Sequence, residues 1–210
     1  DIVSTGKVDE FVVISNHRFA HHFVDWARTK DFPVTVVDDG TSTNETRLGA
    51  VRDILFAIEQ NDLHDDMLVI AGDNVLDFSF GHFIEFAQNR GTSCVMTHEE
   101  HELARLQRTA VITFDDNGLI DSYEEKPVQP KGNHAVPPFY YYRAEDARRI
   151  PEALTDGCNA DAPGSFAAWL SRQVPMHAFV MPGKRYDIGN HESYAQGEQC
   201  QVQFHIGIQL

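Results

Sequence analysis

Short apolar runs alternate along the chain with segments in which apolar residues recur at helical spacing. Phe11-Val12-Val13-Ile14-Ser15-Asn16, Val34-Thr35-Val36-Val37 and Met67-Leu68-Val69-Ile70-Ala71 are continuous runs, rich in β-branched residues, that end in polar or turn-forming positions. They read as buried strands. Between them, Phe19, Phe23 and Trp26 mark one face of a helix. A second amphipathic helix spans 48–58, and a third spans 83–89 before the strand 93–97. Residues 11–97 therefore alternate strand and helix three times. That rhythm predicts a Rossmann-like α/β fold, doubly wound around a mostly parallel sheet.

The rhythm changes after residue 100. Residues 109–114 and 119–123 flank Asp115-Asp116-Asn117-Gly118, a hairpin in which Asn117 and Gly118 are expected to supply positive φ. It is followed by Glu124-Glu125-Lys126-Pro127, in which Pro127 is expected to hold Lys126 extended and so to present Glu125 and Lys126 in opposite directions. The run Phe139-Tyr140-Tyr141-Tyr142 reads as a strand with its rings on alternate faces, helices are expected over 144–154 and 165–172, and 176–180 reads as a last strand. The inserted hairpin gives a small antiparallel sheet beside the parallel one.

The chemistry centres on Ala71-Gly72-Asp73-Asn74, where the apolar run of 67–71 stops. Ligands of open α/β sheets bind beyond the carboxyl ends of the strands. Asp73 at that point suits a hard cation, or simply caps the next element, and Gly72 leaves room for a phosphate or sugar. Asp187, in Tyr186-Asp187-Ile188-Gly189, is a second carboxylate at the mouth of the sheet. Two carboxylates far apart in sequence that meet on one ion fit a Mg²⁺ that orients phosphates. Gly49, in the first turn of the second helix, either admits a base or phosphate or allows helix and strand to pack closely. Glu125 can accept two sugar hydroxyls and Lys126 can meet a phosphate, or both are part of a solvated charge run.

Composition narrows the partners. A formal net charge of -15 over 210 residues excludes neither a phosphate ligand nor a divalent ion, but it argues against nucleic-acid backbones and anionic membranes. Three cysteines without metal-ligand spacing suggest neither a disulfide framework nor a zinc site. With no apolar run of membrane-spanning length and no signal pattern in the first residues, the cytoplasm is the expected location.

The ordered segments Val8–His17, Leu48-Gly49-Ala50, Ala71–Asn74, Glu124–Pro127, Ala135–Tyr142, Asp161–Gly164 and Tyr186–Gly189 together resemble the sugar-1-phosphate nucleotidyltransferases. The resemblance runs from about residue 8 to 195, which sets an expected domain at 1–195 and leaves 196–210 as an unassigned tail. It implies a nucleotide-diphospho-sugar transferase fold in which a sugar 1-phosphate oxygen attacks the α-phosphorus of a nucleoside triphosphate. It further implies that Asp73 and Asp187 hold Mg²⁺, Glu125 takes sugar hydroxyls, Lys126 meets the sugar phosphate and Gly49 faces the base. Gly72, Asn74 and Pro138 would line the substrate site, Pro138 standing where the family usually has Gly. Family members commonly form dimers or tetramers, so a homo-oligomer is among the expectations.

The family's opening strand and its Gly-Gly-x-Gly-Thr-Arg loop, which grips the triphosphate, are absent from these residues. The sequence therefore reads as N-terminally incomplete, and as given it is expected to turn over poorly or not at all. The alternative is a non-catalytic, sugar-phosphate-binding or regulatory homologue. A glycosyltransferase reading would need an Asp-x-Asp motif after a strand, whereas Asp115-Asp116 sits in a hairpin turn.

Overall fold

The structure, a computed structural model, describes residues 2–188. Gly189 and the 196–210 tail lie outside the described residues. After a short 3-10 turn closed by Gly6, the chain forms β1 (Phe11–Ser15), α1 (His17–Ala27), β2 (Val34–Asp38), α2 (Ala50–Asn61), β3 (Met67–Ile70) and β4 (Asn74–Leu76). It continues through α3 (Gly81–Arg90), β5 (Cys94–Glu99), α4 (Leu103–Leu106), β6 (Ala110–Phe114), β7 (Ile120–Glu125), β8 (His134–Val136) and β9 (Phe139–Tyr142). Next come α5 (Ala144–Ala147), α6 (Ile150–Thr155), α7 (Gly164–Leu170), β10 (His177–Val180) and β11 (Arg185–Asp187).

Strands β1 and β2 pair in parallel, as do β5 and β10. The order β3-β9-β5 places an antiparallel strand between two that run the same way. The far end of β5 continues through β8 and β6 into β7, which is the predicted antiparallel insertion. Strand β3 departs from the expectation of a buried parallel strand. Its paired neighbour β9 runs antiparallel, and none of its four residues is fully buried. Among the described residues β3 pairs with β9 alone, so its other edge carries no ladder.

The alternation in β9 divides the core into two layers. Tyr140 and Tyr142 point toward Phe166 and Trp169 of α7 and Ile150 of α6, while Phe139 and Tyr141 point toward Phe80 and α3 residues Phe83 and Ile84. Helices thus cover both faces of the central sheet, as a doubly wound α/β architecture requires.

Local chemistry changed several expected boundaries. Gly118 has φ 81 while Asn117 stays out of the left-handed region, and Asp115 Oδ1 accepts from the Asn117 and Leu119 amides. The hairpin is therefore held by an Asx-type turn with a bulge at Thr113/Phe114 rather than by a two-residue primed turn. The predicted helix over 144–154 divides into α5 and α6 at Arg148-Arg149, and α7 begins at Gly164, so that Ser165 is inside it rather than its cap. The apolar face of α1 forms as predicted, but Phe19, Phe23 and Trp26 remain 45%, 40% and 43% exposed. Phe166→Ala, at a site with no solvent exposure, is expected to cost about 3–5 kcal/mol in urea denaturation, and Phe23→Ala about 1 kcal/mol or less.

Candidate functional site

The candidate site residues fall into two clusters, one at the start of α2 and one at the separate two-stranded β4–β11 sheet. The first forms where the N-terminus of α2 meets the turn at 159–164. Gly49 is the N-cap of α2, one residue before the helix, with φ 90. A β-carbon there would sit 2.7 Å from the Ala160 carbonyl oxygen, and that same oxygen accepts from Val51 N at 2.9 Å. The glycine is thus explained by a left-handed backbone and by close approach of the 160 turn, which fills the direction its side chain would take. Arg47 and Asp161 form an ion pair across the same junction.

A cavity of about 380 Å³ opens there, lined by Arg47, Gly49, Ala50, Asp53, Lys126, Asn159, Asp161 and Ala162. Lys126 reaches it by an unpredicted route. Instead of being extended, it has φ 47 and is pinned by its amide, which donates to Thr109 O at 3.1 Å. That left-handed turn, costing roughly 1–2 kcal/mol for a non-glycine residue, ends β7, leaving Lys126 exposed and Glu125 turned inward. Glu125 Oε2 is buried without a hydrogen-bond partner and lies against Gly164, where any β-carbon would collide with it. Burial pushes the Glu125 carboxyl up, and Lys126 offsets part of that.

The second cluster surrounds β4 and β11. These strands pair antiparallel with Asp187 opposite Asn74, and Ile188 N donates to Asp73 O at 2.8 Å. Asp73, immediately before β4, and Asp187, the last residue of β11, thereby have neighbouring backbones. Asn74 Nδ2 donates to Asp73 Oδ1 at 2.7 Å, while Arg185 Nη1 donates to Asn74 Oδ1 at 2.7 Å and lies 3.8 Å from Asp187 Oδ2. Asp77 fastens the approach to β11 by accepting from Lys184 N at 2.6 Å. No three or more His, Cys, Asp or Glu side chains among the described residues form a metal-binding group by themselves. Two exposed carboxylates suit a hard ion that takes its other ligands from water and phosphate. Pro138 joins the clusters through its carbonyl, which accepts from Ala71 N at 3.2 Å one residue before Gly72, and the ladder runs on from Val136 through Ala110 to Glu125.

The sequence reading missed Asp53, Asn159 and the Arg47–Asp161 pair. Asp53 lies four residues from Gly49 and from buried Ala57, so it is a charge on an otherwise small-residue stripe of α2. That placement is the signal that could have marked it.

A profile of this family, described as nucleotidyl transferase, matches residues 2–202. The chain belongs to the nucleotidyl transferase family. Glucose-1-phosphate adenylyltransferase of Thermotoga neapolitana is 24% identical over 176 residues, covering 79% of this chain and 41% of that protein. The same enzyme of Bacillus licheniformis is 24% identical over 132 residues, covering 61% and 35%. The chain thus spans well under half the length of these curated relatives. A UDP-glucose pyrophosphorylase solved with UDP-glucose superposes with a TM-score of 0.77 at 16% identity, over 96% of this nucleotidyl transferase chain and 84% of that one. Its kind is also similar in the apo form, at TM-score 0.78 and 16% identity, covering 97% and 84%. These likenesses establish the nucleotide-diphospho-sugar transferase fold. No helix among the described residues is long and apolar enough to cross a membrane.

Asp53 yields a prediction of its own. Burial first, then Asp39 and Asp161, push its carboxyl up to about 6. A raised folded-state value means that the group's stabilising contribution is full below about 3.8 and is lost as pH rises through about 6. Asp53→Asn is therefore expected to raise Tm at pH 7.5 relative to the parent, with the advantage shrinking toward pH 4, in differential scanning fluorimetry across ~pH 4–8. Solvent screening of this half-buried group limits the effect.

Proposed function

We propose that this chain carries the sugar-1-phosphate and metal side of a Mg²⁺-dependent nucleotidyltransferase, which joins a sugar 1-phosphate to a nucleoside triphosphate and releases pyrophosphate. The observation that carries this reading is the β4–β11 pairing, which makes the backbones of Asp73 and Asp187 neighbours although they lie more than a hundred residues apart in the chain. Asp73 and Asp187 would hold the ion, whose contribution when bound is neutralisation of crowded phosphate charge. Lys126 supplies a positive charge for the phosphate of the sugar, and Glu125 stands behind it at the end of β7. Gly49 forms the wall between the cavity and the 160 turn, with Gly72, Asn74 and Pro138 edging the route between the clusters. In-line phosphoryl chemistry asks little covalent help from protein, so alignment and charge are the work these residues would do.

Substrates and partners follow the same reading: a nucleoside triphosphate, a sugar 1-phosphate, no nucleic acid, no membrane and a cytoplasmic setting, with self-association to be tested by light scattering. The 210 residues contain no Gly-Gly-x-Gly-Thr-Arg loop. Assayed as this polypeptide, the protein is expected to bind sugar phosphate yet to release pyrophosphate far below the median enzyme turnover of roughly 10 s⁻¹. Sugar-phosphate binding that persists without Mg²⁺ and nucleotide would favour the non-catalytic, regulatory reading.

Two substitutions test the assignment by isothermal titration. Lys126→Gln is expected to weaken glucose 1-phosphate by about 10–100-fold, the worth of one hydrogen bond to a charged group. Asp73→Asn is expected to leave that binding within about twofold while abolishing any tightening of nucleotide by Mg²⁺. Unchanged binding in Lys126→Gln would contradict the reading.

A further inference from the structure

The resemblance gives the sugar hydroxyls to Glu125, but Glu125 does not border the cavity that Lys126 lines. Its Oε2 is sealed beneath the 162–164 turn, against Gly164 and near the Tyr123 hydroxyl. Two other carboxylates do reach the cavity wall, Asp53 and Asp161. Asp161 is engaged, because its Oδ2 is paired with Arg47 and its amide donates to Asn159 Oδ1 at 3.0 Å. Asp53 is different: its Oδ1 is buried and has no hydrogen-bond partner.

We propose that Asp53 is a specificity-determining residue of this site, accepting hydroxyl hydrogen bonds from the sugar of a sugar 1-phosphate whose phosphate lies at Lys126. The inference rests on the function proposed above and deepens it. A carboxylate can accept from two neighbouring hydroxyls, whereas an ammonium can only donate, so the pair Asp53 and Lys126 reads a ligand that is anionic at one end and rich in O–H donors at the other. Asn159 adds a neutral amide able to donate and to accept on the same wall. A volume of about 380 Å³ lies within the range of small-ligand pockets.

The position of Asp53 is fixed by the backbone. Its amide donates to Gly49 O at 2.9 Å, and the Val51 amide donates to Ala160 O, so the first turn of α2 cannot swing away from the cavity without breaking the 160 turn. In the ligand-free fold the carboxylate is costly where it stands, since it is partly desolvated, its Oδ1 has no hydrogen-bond partner and two acidic neighbours face it. Against this, its place in the first turn of α2 offers a modest favourable interaction with the helix N-terminus. A half-buried carboxylate that lines a cavity together with a lysine and keeps an unpartnered oxygen is placed for a ligand.

Titration calorimetry of the 210-residue protein with glucose 1-phosphate and, separately, inorganic phosphate tests the assignment. Asp53→Asn is expected to weaken glucose 1-phosphate by about tenfold or more while leaving inorganic phosphate within about twofold, because only the sugar end loses the negative charge and one of two acceptor oxygens, an NH₂ donor taking its place. Lys126→Gln is expected to weaken both. Circular dichroism melts of each variant confirm folding, and Asp53→Ser provides a second removal of the carboxylate. If Lys126→Gln weakens glucose 1-phosphate and Asp53→Asn does not, the Asp53 assignment falls and the proposed function stands. If Asp53→Asn weakens both probes alike, the residue serves the anion site and the assignment also falls. If the parent protein binds neither probe, both readings fall together.

Discussion

The docking of the 160–164 turn onto the start of α2 is the constraint on which the site depends. One carbonyl, that of Ala160, accepts from Val51 N and lies where a side chain of residue 49 would be. The same turn carries Asp161 to Arg47 and brings the Cα of Gly164 over the Glu125 carboxylate. Segments more than a hundred residues apart thus share a junction too tight for a β-carbon at either glycine. The cavity is the space left between them, and Lys126 enters it because β7 ends in a left-handed turn rather than running on.

The junction also sorts the acidic groups by task. Asp161 is engaged by Arg47, Glu125 is packed away beneath Gly164, and Asp53 is left in the wall of the cavity. Asp73 and Asp187 stand apart on the short β4–β11 pair, exposed and linked through Asn74 and Arg185. Carboxylates of one chemical type therefore occupy environments ranging from sealed to solvated, and environment more than identity decides what each can bind. Exposed carboxylates suit a hydrated ion, while a half-buried one gains more from each hydrogen bond to a ligand.

Much of the fold was legible because apolar periodicity is written locally. The alternation of Phe139–Tyr142 predicted rings on opposite faces, and the structure splits its two core layers along that strand. Asp73 and Asp187 were legible as two carboxylates at the mouth of the sheet, but the β4–β11 pairing that makes their backbones neighbours was not, since no local pattern encodes a pairing between strands more than a hundred residues apart. Three other features were not legible for definite reasons. The antiparallel β9 beside β3 is a matter of topology, which an apolar run does not specify. The φ of Lys126 opposes the usual bias of a residue before proline, and the Thr109 carbonyl that holds it lies on another strand. Asp53 looked like one more polar position on an amphipathic helix until the 160 turn closed over its neighbours.

The central claim is that the α2 junction and the β4–β11 pair form one ligand site, and the most direct test is amide chemical-shift mapping of isotope-labelled protein. Addition of glucose 1-phosphate is expected to shift Ala50, Asp53, Lys126 and Asp161, and subsequent Mg²⁺ with nucleotide to shift Asp73, Asn74 and Asp187. Perturbations confined to other parts of the surface, or none at saturating ligand, would contradict the account.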